Sequence, residues 1–380
     1  MKTVLKIKLE PTKEQQEMLR QTMSQYNAAC NYIAEVAYEK KISSKFKLQK
    51  LVYNTVKKDF NLSAQMTVRA IAKVCEAYSR DKKILPKFRL DGAIVYDDRI
   101  MSFLADEKVS LWTINGRQKI QMIFGDYQRD NFQYRKGQAD LVLVGNTFYL
   151  FATLDIKELP KTTPQEFIGV DLGIVKLLVD SLGYEASGEI IERVRLKYLK
   201  LRRDLQKCRS KNAKRKLKKI ARKEKEFRRQ INHIISKALV KRAKDTNSAI
   251  ALEELKHIRS RTTVRAKDRA RISGWAFAQL QSFILYKARI AGVVVIFVDA
   301  RNSSRECNVC HFVAKRNRPN QSTFSCAKCG RSDNADHNAA KNIADRGKIL
   351  WASVNMPIAV HVDPTIAASL ELQARLFKAE

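Results

Sequence analysis

The chain has 380 residues, 45% apolar and 29% charged, a balance that supports two or three folded domains and excludes disorder as the default. Its 73 Lys and Arg against 39 Asp and Glu give a formal charge of +34, far beyond what solubility needs, and point to a polyanionic partner. No run of about 18 apolar residues occurs, and the N-terminus MKTVLKIKLEP alternates instead of forming a signal-peptide core, so a soluble intracellular protein without a membrane partner is expected.

In chain order, residues 1–10 read as one alternating strand. Thr12 is a plausible helix N-cap, and apolar residues recur at helical spacing from Lys13 to about Lys40 (Met18, Leu19, Met23, Tyr26) and again from Ser63 to Arg80. Residues 11–85 are therefore expected to form a helical unit inserted after that strand. Between 86 and 160 the texture changes to short β-rich runs such as VSLWTI, KIQMIFG and TFYLFATLDI, separated by Gly and Asp turns, which imply a barrel or small sandwich that the N-terminal strand could join.

Pro160 and Pro164 mark the next boundary. Beyond it strand-like runs at 167–180, SAIALEEL and GVVVIFVDA alternate with helical stretches at 191–244 and 274–291, the pattern of an α/β sheet. From Arg193 to Lys244 there are 23 Lys or Arg against Asp204, Glu224 and Glu226, a net +20 of the chain's +34. This stretch reads as two helices joined near Ser210, and a charge run of so dominant a sign favours phosphate contact over a merely solvated face.

Four of the seven cysteines cluster as CNVC at 307–310 and CAKC at 326–329, separated by 15 residues. That spacing lets the thiolates of Cys307, Cys310, Cys326 and Cys329 converge on one structural Zn²⁺, with Gly330 supplying backbone freedom after the second knuckle. Cys30, Cys75 and Cys208 are isolated in helical stretches, where a small buried apolar role is expected, and this usage suits a reducing compartment.

Three carboxylates stand out. Asp171 interrupts the apolar run FIGVDLGIV, where an unpartnered charge is costly, so a cation, a metal or strong donors should lie beside it. Glu253 ends the apolar run of AIALEEL, and Asp336 opens the helix expected after the second knuckle. Taken singly, Glu253 is a charged strand end and Asp336 a cap or first-turn acid. Together the three suit two Mg²⁺ ions, which prefer oxygen ligands and can clamp the attacking and leaving oxygens of an in-line phosphoryl displacement.

The segments GVDLG at 169–173, LEEL at 252–255, SSRECNVC at 303–310, CAKCG at 326–330 and ADHNAAKNI at 335–343 resemble the TnpB family, RNA-guided nucleases of insertion sequences whose relatives include the compact type V CRISPR effectors. The resemblance implies a multidomain α+β protein: a wedge-like β-barrel at 1–10 and 86–160, a helical recognition insertion at 11–85, and a RuvC-type, RNase H-like α/β nuclease domain at 166–304 and 331–348. Within the last lie the basic hairpin at 193–244 and an inserted zinc ribbon at 305–330 that contacts target nucleic acid. Asp171, Glu253 and Asp336 match the family's motif acids, binding two catalytic Mg²⁺ ions, and Arg318 in NRPNQ resembles an arginine placed beside them.

The implied partners are a guide RNA derived from a transposon end and double-stranded target DNA with a short flanking motif. The implied setting is the prokaryotic cytoplasm near the nucleoid, with the protein acting as a monomer with its RNA. Rival readings are an RNA-guided repressor that binds without cutting, a strand-transfer transposase, and an inactive zinc-ribbon RNA-binding protein. Three positions bear on the match. His311 follows the first knuckle where the family usually has Gly, Asn334 stands where many relatives carry an extra acid, and a slipped register would make Glu254 the ligand in place of Glu253. Residues 349–380 match nothing in the family.

Overall fold

The alternation KTVLKIKLE becomes β1, Lys2–Glu10, with Leu5, Ile7 and Leu9 buried on one face and Lys6, Lys8 and Glu10 exposed on the other. It belongs to a computed structural model that describes residues 1–208, 210–254, 277–299 and 301–355. The chain divides into two units, Met1–Lys157 and Glu158–Glu380.

In the first unit β1 is followed by α1, Lys13–Glu39, which starts at a capping box: the Thr12 hydroxyl accepts from Gln15 N at 3.2 Å while the Gln15 side chain accepts from Thr12 N at 3.1 Å. Then come α2, Lys45–Asp59, and α3, Ala64–Arg80, the latter capped by the Ser63 hydroxyl. The sequence pattern did not single out α2, because its buried stripe is only Leu48, Val52 and Val56. The strands β2 (Ile94–Tyr96), β3 (Met101–Phe103), β4 (Lys108–Thr113) and β5 (Gly116–Ile123) follow, then α4 (Asp126–Phe132), β6 (Arg135–Val144) and β7 (Thr147–Asp155).

They form one antiparallel sheet ordered β2-β6-β7-β1-β5-β4-β3. The first strand in sequence thus sits at the centre of the sheet, between β7 and β5, and the three helices are inserted in sequence between it and the edge strand β2. The Tyr96 hydroxyl, on edge strand β2, donates to the Trp112 carbonyl of β4 at 2.9 Å, so the sheet curls into a near-barrel.

The second unit is built on a mixed sheet, β8 (Glu166–Asp171), β9 (Lys176–Asp180), β10 (Glu185–Ser187), β11 (Ser248–Glu253) and β12 (Val295–Val298), ordered β10-β9-β8-β11-β12. β8, β11 and β12 are parallel, while β9 and β10 turn back antiparallel. Between β10 and β11 run α5, Glu189–Lys207, and α6, Lys211–Asp245, joined at Ser210, whose hydroxyl caps α6 by accepting from Ala213 N. Among the described residues the α-helices that follow are α7, Phe277–Ala291, and α8, Ala335–Asn355.

β8 and β11 are apolar on both faces because helices cover both. Ile168, Val170, Ile250 and Leu252 pack against Leu239 and Val240 of α6 and Leu280 and Ile284 of α7. Their alternate neighbours Phe167, Ala249 and Ala251 face Ala344 and Ile343 of α8. Among the described residues no helix is long and apolar enough to cross a membrane.

Cys30 and Cys75 are buried as expected, but Cys208 is exposed. It occupies the C-cap of α5, in the turn that reverses the chain into α6, and not a packed helix face. Leu255 of the LEEL segment and residues 356–380 of the C-terminal segment lie outside the described residues.

Candidate functional site

The pleat that sorts the core also places the acids. Asp171 has the parity of Phe167 and Gly169, and Glu253 that of Ala249 and Ala251, so both carboxylates leave the sheet on the α8 face. The strands are in register with Val170 opposite Leu252, which puts both acids at the same C-terminal edge of the parallel pair. Glu254 has the opposite parity and is exposed, and its N–H continues the ladder to the Val298 carbonyl at 3.1 Å.

Asp336 reaches this edge from α8. It is not the cap of that helix: the Asn334 side chain takes that role, its Oδ1 accepting from Asp336 N at 3.0 Å and His337 N at 3.4 Å. The Asp336 carboxylate is therefore available in the first turn, where Arg318 donates to it at 3.3 Å and also to the Gln321 carbonyl at 2.7 Å. Asp333, the nearby acid, is held by Lys341 at 2.7 Å and Arg331 at 3.2 Å.

The electrostatics couple the acids. Burial pushes the Asp171 carboxyl well above the usual carboxylate range, the Asp336 charge pushes it further, and Arg318 opposes both. Burial likewise raises Glu253, and the Asp171 charge adds to it against a hydrogen bond from Ser303. No described Lys or Arg forms an ion pair with Asp171. By contrast Asp180, fully buried at the end of β9, is paired with Arg242 at 3.2 Å and accepts from Leu182 N and Tyr184 N. Buried Asp180 is neutralised by its own fold, whereas half-buried Asp171 has no such ion pair among the described residues.

The four thiols form a second centre. Cys307 and Cys329 Sγ lie 3.7 Å apart and Cys310 and Cys326 Sγ 3.5 Å, too far for disulfides and close to the separation of about 3.8 Å that a tetrahedral ion with 2.3 Å thiolate bonds would set. The two knuckles are near copies. His311 N donates to the Cys307 carbonyl as Gly330 N does to Cys326, and each closing residue is left-handed, His311 with φ 55° and Gly330 with φ 74°.

A non-glycine residue thus adopts the strained turn, its ring nitrogen 3.1 Å from the Glu306 carboxylate. Fully buried Asn317 ties the knuckles together: its amide donates to the Arg305 and Phe312 carbonyls, each at 2.9 Å, and its oxygen accepts from Ala327 N at 3.0 Å.

Among the described residues these thiols are the one set of three or more metal-binding side chains whose ligand atoms all lie within 4.8 Å of one another. The three acids form a wider triangle. One ion bound to all three would need a tighter one, whereas two ions about 3.5–4 Å apart are served by carboxylates spread across the pair.

Two family models match adjoining parts of this second unit and the strand before it: the probable-transposase family OrfB_IS605 over residues 151–258, and the Cas12f1-like TNB domain over 277–343. The chain is also 35% identical over 98 residues to a TnpB-like protein of Methanocaldococcus jannaschii, covering 26% of this chain and 34% of that one. The chain resembles the TnpB family. The chain is further 37% identical over 119 residues to the CRISPR-associated endodeoxyribonuclease Cas12f1 of Sulfoacidibacillus thermotolerans, 31% of this chain and 27% of that one. It spans less than half the length of these curated relatives.

A Cas12f1 chain solved in complex with sgRNA and target DNA shares the fold, with a TM-score of 0.59 at 17% identity over 88% of this chain and 83% of that one. Residues that sequence reasoning passed over are polar and buried: Asn317, Asn338 and Asn342. Their one signal was the repeat of Asn at i and i+4 in ADHNAAKNI, which places Asn338 and Asn342 on one side of α8.

Proposed function

We propose that this chain is an RNA-guided DNA endonuclease of a transposable element, cutting target DNA beside a short flanking motif at a single RuvC-type centre. The observation that carries the reading is the convergence of Asp171, Glu253 and Asp336 on one face of the sheet with excess negative charge. A sheet whose first strand ends in the first acid, with β11 parallel beside it bearing the second, supports the RNase H-like assignment.

Asp171, Glu253 and Asp336 are the residues that would hold two Mg²⁺ ions, and their donor set fits: carboxylate oxygens, partly desolvated, that lack enough neighbouring cations. Bound there, the ions supply Lewis-acid stabilisation of the attacking and leaving oxygens. Burial at the strand ends limits how far water screens Asp171 and Glu253 from a bound cation, and Asn334 holds Asp336 by capping the helix that bears it. Arg318 is positioned to donate to a phosphate oxygen brought beside Asp336.

The thiols of Cys307, Cys310, Cys326 and Cys329 hold one structural Zn²⁺, making 305–330 a ribbon that contacts target nucleic acid. The α5–α6 hairpin lines the RNA–DNA heteroduplex with positive charge, and base pairing carries the specificity. The near-barrel and its inserted helices hold the guide and read the flanking duplex.

The test is to purify the protein with its endogenous RNA and sequence that RNA. One dominant species with a constant scaffold and a variable end is expected, and bulk cellular RNA would overturn guidance. Asp171→Ala should abolish cleavage of a matched target while leaving the RNA bound. Residual cleavage would move the chemistry elsewhere, and loss of RNA would make Asp171 structural.

A further inference from the structure

The segment SSRECNVC contributes more than its cysteines. Ser303 lies in the connection between β12 and the first knuckle, only 5% exposed, and its hydroxyl donates to Glu253 Oε1 at 3.2 Å in a buried hydrogen bond. The Ser303 carbonyl accepts from Asn342 Nδ2 at 2.7 Å, and the same amide donates to the Glu306 carbonyl at 2.8 Å. Asn338 adds a second donor to the Glu306 carbonyl at 2.7 Å, and Arg346 donates to the Asp299 carbonyl and the Glu306 carboxylate, each at 2.5 Å. Asn338, Asn342 and Arg346 are spaced four apart on α8, so one side of this helix clasps Asp299, Ser303 and Glu306. The helix that does so is the one whose first turn carries Asp336.

We propose that Ser303 is the positioning residue for Glu253, and that Asn342 seats Ser303, so that α8 sets both the second and the third acid of the centre. The idea rests on the metal-centre reading above. Glutamate has rotamer freedom that a cation must otherwise freeze on binding. A hydroxyl on one oxygen orients the group and leaves the other oxygen for an ion. An arginine or lysine in its place would orient it too, but would cancel the charge that draws the cation. Serine orients without neutralising. Because Glu306 is held in the same clasp and Cys307 follows it directly, the cysteine cluster and Glu253 share one anchor.

The test uses the full-length chain with its copurified RNA and Mn²⁺ as the probe, followed by electron paramagnetic resonance. Mn²⁺ bound by the wild-type complex beyond that bound by the Asp171→Ala complex reports this centre above the RNA background. Ser303→Val should weaken that binding about 10-fold or more, as loss of a ligand's supporting hydrogen bond does elsewhere, while near-isosteric Ser303→Thr should restore it to within about 2-fold. Zinc content and melting temperature should match wild type in both.

If the bulkier Val lowers the melting temperature, Ser303→Ala, which removes only the oxygen, serves for the same comparison. Wild-type affinity in the hydroxyl-free variants would overturn the positioning role alone. No difference between the wild-type and Asp171→Ala complexes would overturn the metal centre, and this role with it.

Discussion

Gly169 of β8 and Ala340 of α8 meet backbone to backbone: a Cβ on Gly169 would lie 2.0 Å from the Ala340 carbonyl oxygen and 2.3 Å from Ala344 N. The contact draws α8 onto the strand two residues before Asp171, one turn along the helix from Asp336. It is the mechanical reason that acids 165 positions apart in sequence share an edge.

Gly169→Ala should therefore damage the second unit more than an ordinary overpacked site. Backbone atoms at these distances cannot swing aside as a side chain would, so a loss of at least about 3 kcal/mol is expected, the upper end for inserted methyl groups. Chemical denaturation of the full chain, with its midpoint compared against wild type, checks this. An unchanged midpoint would mean that α8 does not seat on β8 as described.

The raised carboxyls make stability depend on pH in a definite direction. Asp171 and Glu253 hold their protons at higher pH when folded than the unfolded values of about 3.9 and 4.3. Above about pH 4 the native state thus binds more protons than the unfolded chain, and metal-free stability falls as pH rises through the folded values. Asp171→Asn removes part of that penalty and should stabilise the magnesium-free protein at pH 8 by on the order of 1–3 kcal/mol. Arg318→Ala should do the reverse, because its charge favours ionised Asp171, and it should move the acidic limb of a cleavage pH profile upward. Thermal melts from pH 5 to 9 in magnesium-free buffer would show both signs.

Asn317 satisfies three backbone groups that no other described side chain reaches in the same way. Asn317→Ala leaves the Arg305 carbonyl and the Ala327 amide without that partner and the Phe312 carbonyl with Cys307 N alone, at about 1–3 kcal/mol for each unpaired group that water cannot reach. Zinc should be released to a chromogenic chelator much faster than from wild type. Equal release rates would show that the thiolates alone hold the two knuckles together.

The α5–α6 hairpin should bind nucleic acid through released counterions. Lys214, Arg215, Lys218 and Lys225 are exposed, whereas Glu224, one of only three acids in the stretch from 193 to 244, is buried against Arg202. Replacing those four cations with Ala should make the slope of log affinity against log salt shallower by about 0.7–0.9 for each phosphate that is no longer neutralised. Filter binding of the copurified RNA across a salt series measures it, and an unchanged slope would place the RNA elsewhere.

Several features were legible in the sequence alone because they depend on local spacing. Each C-x2-C pair aims two thiolates the same way by local spacing, a capping box at Thr12 needs only four residues, and a charge excess of +20 survives any fold. The apolar run around Asp171 marked a strand for the same reason, and its charge marked that strand as unusual.

Tertiary structure decided what depends on partners distant in sequence. Only the parallel register of β8 and β11 puts Glu253, and not Glu254, on the face of Asp171, since the pleat sends adjacent residues to opposite faces and α8 covers just one of them. Only the packing of α8 reveals that Asn334 caps it, that Asp336 is left to face Asp171, and that Ser303 reaches Glu253. A hydrogen bond spanning 50 residues leaves no periodicity for a sequence reader, because its geometry is created by the fold that buries it.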